Sequence, residues 1–401
     1  MHPYLTADIP GTGGVIKESP EDFIVTEIPA YEPCGSGEHL YLTFEKRGIT
    51  TLEAIRRIAG GLKVSERDVG YAGMKDAVGV TRQTISLQGT RSEEALSLQL
   101  DGITICSAIR HTNKLKPGHL KGNRFQITVR GAVPGASAAA ILAVLKRRGV
   151  PNWFGYQRYG AQGNSHLIGA AMLRRDWHKA VDCVIGEPGA VRDAEWRSAI
   201  VAYQQGDLAG ALQRMPRHCR SERDVLQRLA ARPEAWEKAF AAIHPRLKKL
   251  YLSAFQSYLF DKVVEARLAV IDQVRVGDLA WKHLNGACFL VEDAEKEQPR
   301  ADRFDISPTG ILFGSRVSWA SGEPGQIEEA VIAEAGTTKD TLVASAKACG
   351  FRGERRALRI PLTELEWSLS GDVLTLSFSL PPGAYATSVL RELMKVSPMN
   401  P

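Results

Sequence analysis

Apolar and polar positions alternate along this chain in two textures. Over the first 150 residues short period-two runs predominate. EDFIVTEIP (21–29), EHLYLTFEK (38–46), DVGYAG, VTRQTISL, GITICSAIRH and NRFQITVRG have the pattern of half-buried strands. Between them TLEAIRRIA has helical spacing, with Thr50 and Glu53 at capping-box separation and Gly60 and Gly61 as its expected end. SEEALSLQL reads as a short helix, and ASAAAILAVLKRRG (136–149) as an apolar helix that ends in a basic cluster. Neighbouring strands are expected to pair mainly as antiparallel neighbours.

From residue 165 to 270 the texture is helical: AMLRRDWHKAVDCVIG, LAGALQRM, ERDVLQRLAAR and AFQSYLFDKVVEARL. In the last of these Leu252, Phe255, Leu259, Phe260, Val263, Val264 and Leu268 keep near-3.6 spacing, so one face must pack. Strands return in GDLAWKH, ACFLVED and GILFGS, followed by the acidic helix QIEEAVIAEAG. The final fifty residues hold a basic segment, FRGERRALRIP, a strand with Leu374, Leu376, Phe378 and Leu380 in alternation, and PPGAYATSVLREL, a Pro-Gly turn entering a helix. A helical middle between two strand-rich ends predicts an α+β chain of two domains.

Composition adds limits. The 401 residues, 44% hydrophobic and 24% charged, are ordinary for a globular protein, and the formal charge of +6 suits a polyanionic partner without requiring one. The six cysteines form no CxxC pair, and neither His218 beside Cys219 nor His39 near Cys34 builds a metal site, so no metal is expected. The start, MHPYLTADIPGTGG, lacks the pattern of a signal peptide, and no apolar run reaches a membrane span; the expected location is the cytoplasm.

One short stretch carries candidate chemistry. In GYAGMKDAVGVTRQ (70–83) Asp76 follows Lys75 on a glycine-flanked turn, where a neighbouring cation can favour a carboxylate able to act as nucleophile or base. Lys-Asp in a turn is also ordinary turn chemistry. The longer string resembles the signature of the TruD family of tRNA pseudouridine synthases, with Ala77 where the family often has a basic residue. The resemblance continues in order through KESPEDFIVTE (17–27), KGNRFQITVRG (121–131), VPNWFGYQRYG (150–160), LYLSAFQSYLF (250–260), GDLAWKHLNGACFLVED (277–293), DISPTGILFG (305–314) and LPPGAYATSVLREL (380–393).

That resemblance implies a V-shaped molecule. Residues 1–151 with 356–401 would form a pseudouridine-synthase catalytic domain with a mixed, mainly antiparallel sheet, and 152–355 an inserted α/β domain, the TRUD domain. The implied reaction isomerises a uridine of tRNA, usually uridine 13 in the D-arm, to pseudouridine, with Asp76 catalytic and no cofactor. Such an enzyme would bind tRNA as a monomer, away from any membrane. Phe125 and Tyr385 fall where the family is expected to sandwich the uracil, and Phe23 is a third aromatic on the substrate side.

Asn123, two residues before Phe125 and so on the same face of a strand, either reads the uracil edge or serves its turn. Lys17 either pairs with the catalytic carboxylate or binds phosphate; Glu21 belongs to the same block. Gln157 and Arg158 are boundary or cleft residues, or simply packed. Lys146, Arg147 and Arg148, the arginines 214, 217, 220 and 223, and Arg352, Arg355, Arg356 and Arg359 are candidate phosphate contacts. The alternatives are an RNA-binding or chaperone protein with a vestigial site and a carboxylate-dependent nucleoside hydrolase. The intact Lys75-Asp76 pair counts against the first, and the mass of the product separates the second.

Overall fold

The computed structural model describes residues 2–133 and 137–396. Ala136, the expected start of a helix, and residues 397–401 of the expected catalytic domain lie outside the described residues. The chain separates into two compact units, one of residues 3–150 and 360–396, the other of 151–359 together with His2.

The first unit is built on a nine-stranded sheet. Its main path runs Thr363–Ser370, Val373–Leu380, Leu120–Arg130, Phe23–Pro29, Val80–Gln88, His39–Arg47, Ile103–His111, with Val15–Ile16 and Gly70–Tyr71 as short additions. Along this path the neighbours are antiparallel except for Phe23–Pro29 and Val80–Gln88, which run parallel, Ile24 opposite Val80.

One face of the sheet buries two apolar clusters. Phe23, Val25, Phe125, Ile127 and Val129 pack against Ile141, Leu142 and Leu145 of the Ser137–Arg148 helix and Val389, Leu390 and Leu393 of the Ala386–Met394 helix. Leu40, Leu42, Phe44, Ile85 and Leu87 pack against Ala54, Ile55 and Ile58 of the Thr51–Gly61 helix. The two parallel strands therefore form the seam, each belonging to a different cluster.

Two local expectations change. Thr50 caps its helix by accepting from the Glu53 N–H, but the Glu53 carboxylate bonds Arg56 and Arg57 instead of returning to Thr50. As expected, Gly60 and Gly61 close that helix, with Leu62 as its C-cap and Lys63 at a φ of +54°. Residues 363–370 form an edge strand that alternation did not mark, because nearly all its side chains are exposed or half-exposed.

In the second unit, Ser165–Leu173 and Pro245–Arg267 pack together, and Asp176, Asp193 and Asp207 each cap a helix by accepting from a backbone N–H. A four-stranded sheet, Cys288–Leu290, Leu279–Lys282, Ile306–Leu312, Glu354–Ala357, completes it, the Ile306–Leu312 strand wholly buried beside the long helix. Arg267 and Asp278 form a buried two-bond pair at 3.0 and 3.1 Å.

The arginine run is not the solvent-facing track expected from sequence. Arg355 is buried, paired with Glu328 at 2.6 Å and bonded to Thr309. Arg359 is buried, donates to the Ala301 carbonyl and lies over Phe304. Arg356 donates to Asn152 Oδ1 at 2.6 Å and covers Phe154, which leaves Arg352 exposed. Arg223 likewise caps the carbonyls of Leu212 and Met215. The planar fork of arginine suits it to such internal carbonyl and carboxylate contacts.

The chain ends are tied into the first unit by Glu392, which is wholly buried and accepts from the N–H groups of Leu5 and Thr6 and from the Thr6 hydroxyl. Glu392→Ala strands these donors in the interior and is expected to cost about 2–4 kcal/mol, read from the midpoint of urea unfolding.

Candidate active site

Parallel strands begin at the same end of a sheet, so the segment entering Phe23–Pro29 and the loop entering Val80–Gln88 are brought together. Asp76 lies on that loop, its side chain 42% exposed, with Lys17 Nζ 3.8 Å from Oδ2. Lys17 also sits 4.2 Å from the centre of the Phe23 ring, so its ammonium is held between an aromatic face and a carboxylate. Lys17 has a φ of +64°, a conformation that costs a non-glycine residue about 1–2 kcal/mol. Gly79 is required where it stands: its φ is +145°, and a Cβ there would meet the Phe23 carbonyl oxygen at 2.4 Å.

Lys75 does not serve Asp76 in the way its sequence position suggested. Its Nζ lies 2.5 Å from Glu27 Oε2, both side chains nearly buried at 4% and 5% exposure. Glu27 Oε1 accepts in addition from the Thr84 N–H. The backbone of the loop is also pinned: the Lys75 N–H donates to Thr51 Oγ1 at 2.9 Å, and Thr51 Oγ1 bonds Gln83 Oε1 at 3.0 Å.

Register explains which side chains gather here. Phe125, Val25, Thr81 and Lys46 are successive partners across four strands, while Asn123 is opposite Glu27 and Gln83 opposite Phe44. These rows share the face of the sheet on which Asp76's neighbours Phe23 and Glu27 also lie. Three of their polar atoms, Asn123 Oδ1, Gln83 Nε2 and Thr81 Oγ1, are buried without a hydrogen-bond partner among the described residues. Buried polar atoms are nearly always satisfied, so these three are groups able to take a hydrogen-bonding partner.

The aromatic candidates separate by exposure. Phe23 and Phe125 belong to the core at 2% and 6%, edge-on to each other, with Phe125 stacked on Phe378 at 5.5 Å. Tyr385 is 37% exposed at the N-terminus of the last helix, after a turn that begins beside Leu380, the register partner of Asn123. Glu21 pairs with Arg47. Arg158 belongs to the other unit, where it donates to Ser257 Oγ and Ser253 Oγ of the long helix at 2.8 and 2.6 Å.

Sequence reasoning missed Glu27, Lys46, Thr51 and Gln83, and also Met74 and Val78, which stand 67% and 53% exposed beside Asp76. The only sequence signal for the last two was their apolar character in an otherwise polar turn.

The sheet seam thus brings together a half-exposed carboxylate, a cation on an aromatic face and two buried amides with an unpartnered atom among the described residues. The sequence model of the family described as tRNA pseudouridine synthase D (TruD) matches residues 1–393. A tRNA pseudouridine synthase D of Geobacter metallireducens is 61% identical over 98% of this chain and 97% of its own. One from Thermus thermophilus is 37% identical over 100% and 94%. A TruD crystal structure from Methanosarcina mazei superposes with a TM-score of 0.85 at 28% identity, covering 100% of this chain and 97% of that one. The chain belongs to the TruD family.

Glu27→Gln leaves the Lys75 cation buried without a counter-charge and is expected to lower stability by about 3–5 kcal/mol. Glu27→Gln combined with Lys75→Met should recover most of that loss in urea titrations; equal losses would show that the pair does not hold the loop.

Proposed function

We propose that the protein converts a uridine of tRNA to pseudouridine, uridine 13 of the D-arm being the target, with Asp76 as the catalytic carboxylate. The unit of residues 3–150 and 360–396 is then the catalytic domain and 151–359 the inserted TRUD domain. The observation that carries this reading is the Asp76 carboxylate, open to solvent on a loop whose backbone is bonded from below and whose neighbours include an unfilled amide.

The chemistry follows from these positions. The target base must leave its stack and be held against an aromatic face. Tyr385 supplies the accessible ring, and Phe125, backed by Phe378 and Phe23, closes the floor. The buried Asn123 Oδ1 accepts from the N3–H of uracil, and Gln83 Nε2 donates to a uracil carbonyl. Such complementary pairing rejects ligands that cannot satisfy the buried groups.

Asp76 acts at the ribose, at C1′ as nucleophile or at the neighbouring carbon as base. The N-glycosidic electron pair departs with uracil, the base turns within the pocket, and C5 bonds to C1′. As C5 bonds to C1′, the Asp76 carboxylate is displaced from C1′ or gives its proton back to the neighbouring carbon; the C5 proton is then lost and N1 gains one, so that atoms balance with no redox change. Both routes require the same carboxylate.

Asp76→Asn should bind unmodified tRNA transcript within about twofold of wild type while losing turnover by about 10³-fold or more, a loss of about 4 kcal/mol in the transition state. Carbodiimide-dependent primer extension locates the product. Wild-type turnover in the Asn variant would reject the assignment, and released uracil in the wild-type reaction would indicate hydrolysis instead.

A further inference from the structure

Lys46 is the last-but-one residue of the His39–Arg47 strand and is fully buried. Its Nζ donates to the Asp76 carbonyl at 2.6 Å and to the Ile49 carbonyl at 2.7 Å. Lysine is among the residues least often buried, because withdrawing its ammonium from water is costly. A cation kept inside the sheet and directed at the backbone of the proposed reactive residue calls for a function, and the pathway of the reaction itself uses no such group.

We infer that Lys46 is a positioning residue for catalysis: its ammonium clamps the main chain of Asp76 and so fixes the direction in which that carboxylate leaves the loop. The inference rests on the assignment of Asp76 as the catalytic group. Three observations support it. The two acceptors flank the site, one at Asp76 and the other on the chain that enters the Thr51–Gly61 helix, so a single ammonium joins the catalytic loop to that helix. The side chain of Asp76 is itself exposed and, among the described residues, its one ion pair is the 3.8 Å contact to Lys17, so its direction depends on its backbone. Thr51 Oγ1 accepts from the Lys75 N–H and donates to the Lys75 carbonyl, and Lys46 takes the carbonyl that follows, that of Asp76.

The charge matters as well as the hydrogen bonds. The charged groups facing Lys46 are Asp76, which favours the ammonium, and Lys75, which opposes it; its strand partners, Thr81 and Ile103, are neutral. Burial is the largest influence and brings its pKa down to about 8 from 10.5. Bonds from a charged donor are roughly twice as strong as neutral ones, so deprotonation loosens the clamp while leaving the amine in place. The signs for rate and stability are opposite. The unfolded chain holds this proton more tightly between about pH 8 and 10.5, so this group's burial penalty is present below pH 8 and is relieved as pH rises. The rate, which needs the ammonium, falls over the same interval.

The test is the pH dependence of single-turnover pseudouridine formation on tRNA transcript, from pH 6 to 10, for wild type, Lys46→Met and Lys46→Arg, with tRNA affinity measured in parallel. Lys46→Met should slow the chemical step by about 30-fold or more at pH 7 and change tRNA affinity less than twofold. Wild type should lose rate with a midpoint near pH 8. Lys46→Arg, which stays charged, should regain part of the rate and lack that alkaline fall. A Lys46→Met rate within threefold of wild type, a loss confined to affinity, or the same alkaline fall in wild type and Lys46→Arg would each overturn the inference. If neither variant folds, the wild-type profile decides, and a flat rate through pH 10 overturns it. Inactive Asp76→Asn with normal Lys46→Met removes this inference alone; active Asp76→Asn removes the catalytic assignment beneath it.

Discussion

The buried pairing of Lys75 with Glu27 is the interaction on which the rest of the site depends. Glu27 is on an interior strand and cannot move without the sheet, so the 2.5 Å contact fixes the loop through the residue adjacent to Asp76. Breaking it would leave a charge stranded at about 5% exposure, which is far costlier than losing a surface pair. Because Glu27 is the register partner of Asn123, the same contact that fixes the loop also sets it beside the unfilled amide. Placement of the Asp76 carboxylate and of the proposed base-reading amide thus share one cause.

Topology determines why that pairing is available. In an antiparallel sheet the starts of adjacent strands lie at opposite ends, so two entry segments do not meet. Here one parallel pair interrupts the pattern, and Lys17, Phe23 and Asp76 converge on the common end. The connection between those strands includes the His39–Arg47 strand and the Thr51–Gly61 helix, which bring Lys46 and Thr51 to the same loop. Each seam strand gives its apolar side chains to a different cluster, and the polar side chains of Glu27, Thr81 and Gln83 stand on the same face between them.

Much of this architecture was readable as alternation, since strands that bury one face show it in their own residues. Thr363–Ser370 was not, because an edge strand with little burial has no apolar period to display. The site was readable only in part. Asp76 stands out through the whole of GYAGMKDAVGVTRQ, whereas Glu27 and Lys46, charged residues in phase with the apolar face of their strands, are not singled out by the sequence, and their partners emerge only from the fold. Phe23 and Phe125 were placed on the substrate side by family resemblance, and their burial gives them a share in the core as well.

The charges of the interior also alter how a basic composition should be read. Lys75, Arg267 and Arg355 are matched by Glu27, Asp278 and Glu328 inside the protein, so those pairs contribute nothing to the net +6. The excess must therefore be carried elsewhere, and residues such as Lys146, Arg147, Arg217, Arg220 and Arg352 are exposed. A polyanion responds to charge at the surface, where counterions are released, and not to how closely arginines follow one another in sequence. Arg355 and Arg359 lie in the densest basic run of the chain and are the two that solvent scarcely reaches. Their spacing on a strand and its continuation turns them inward, so the run is a structural clasp of the second unit, and attraction of the proposed tRNA falls to the scattered exposed cations.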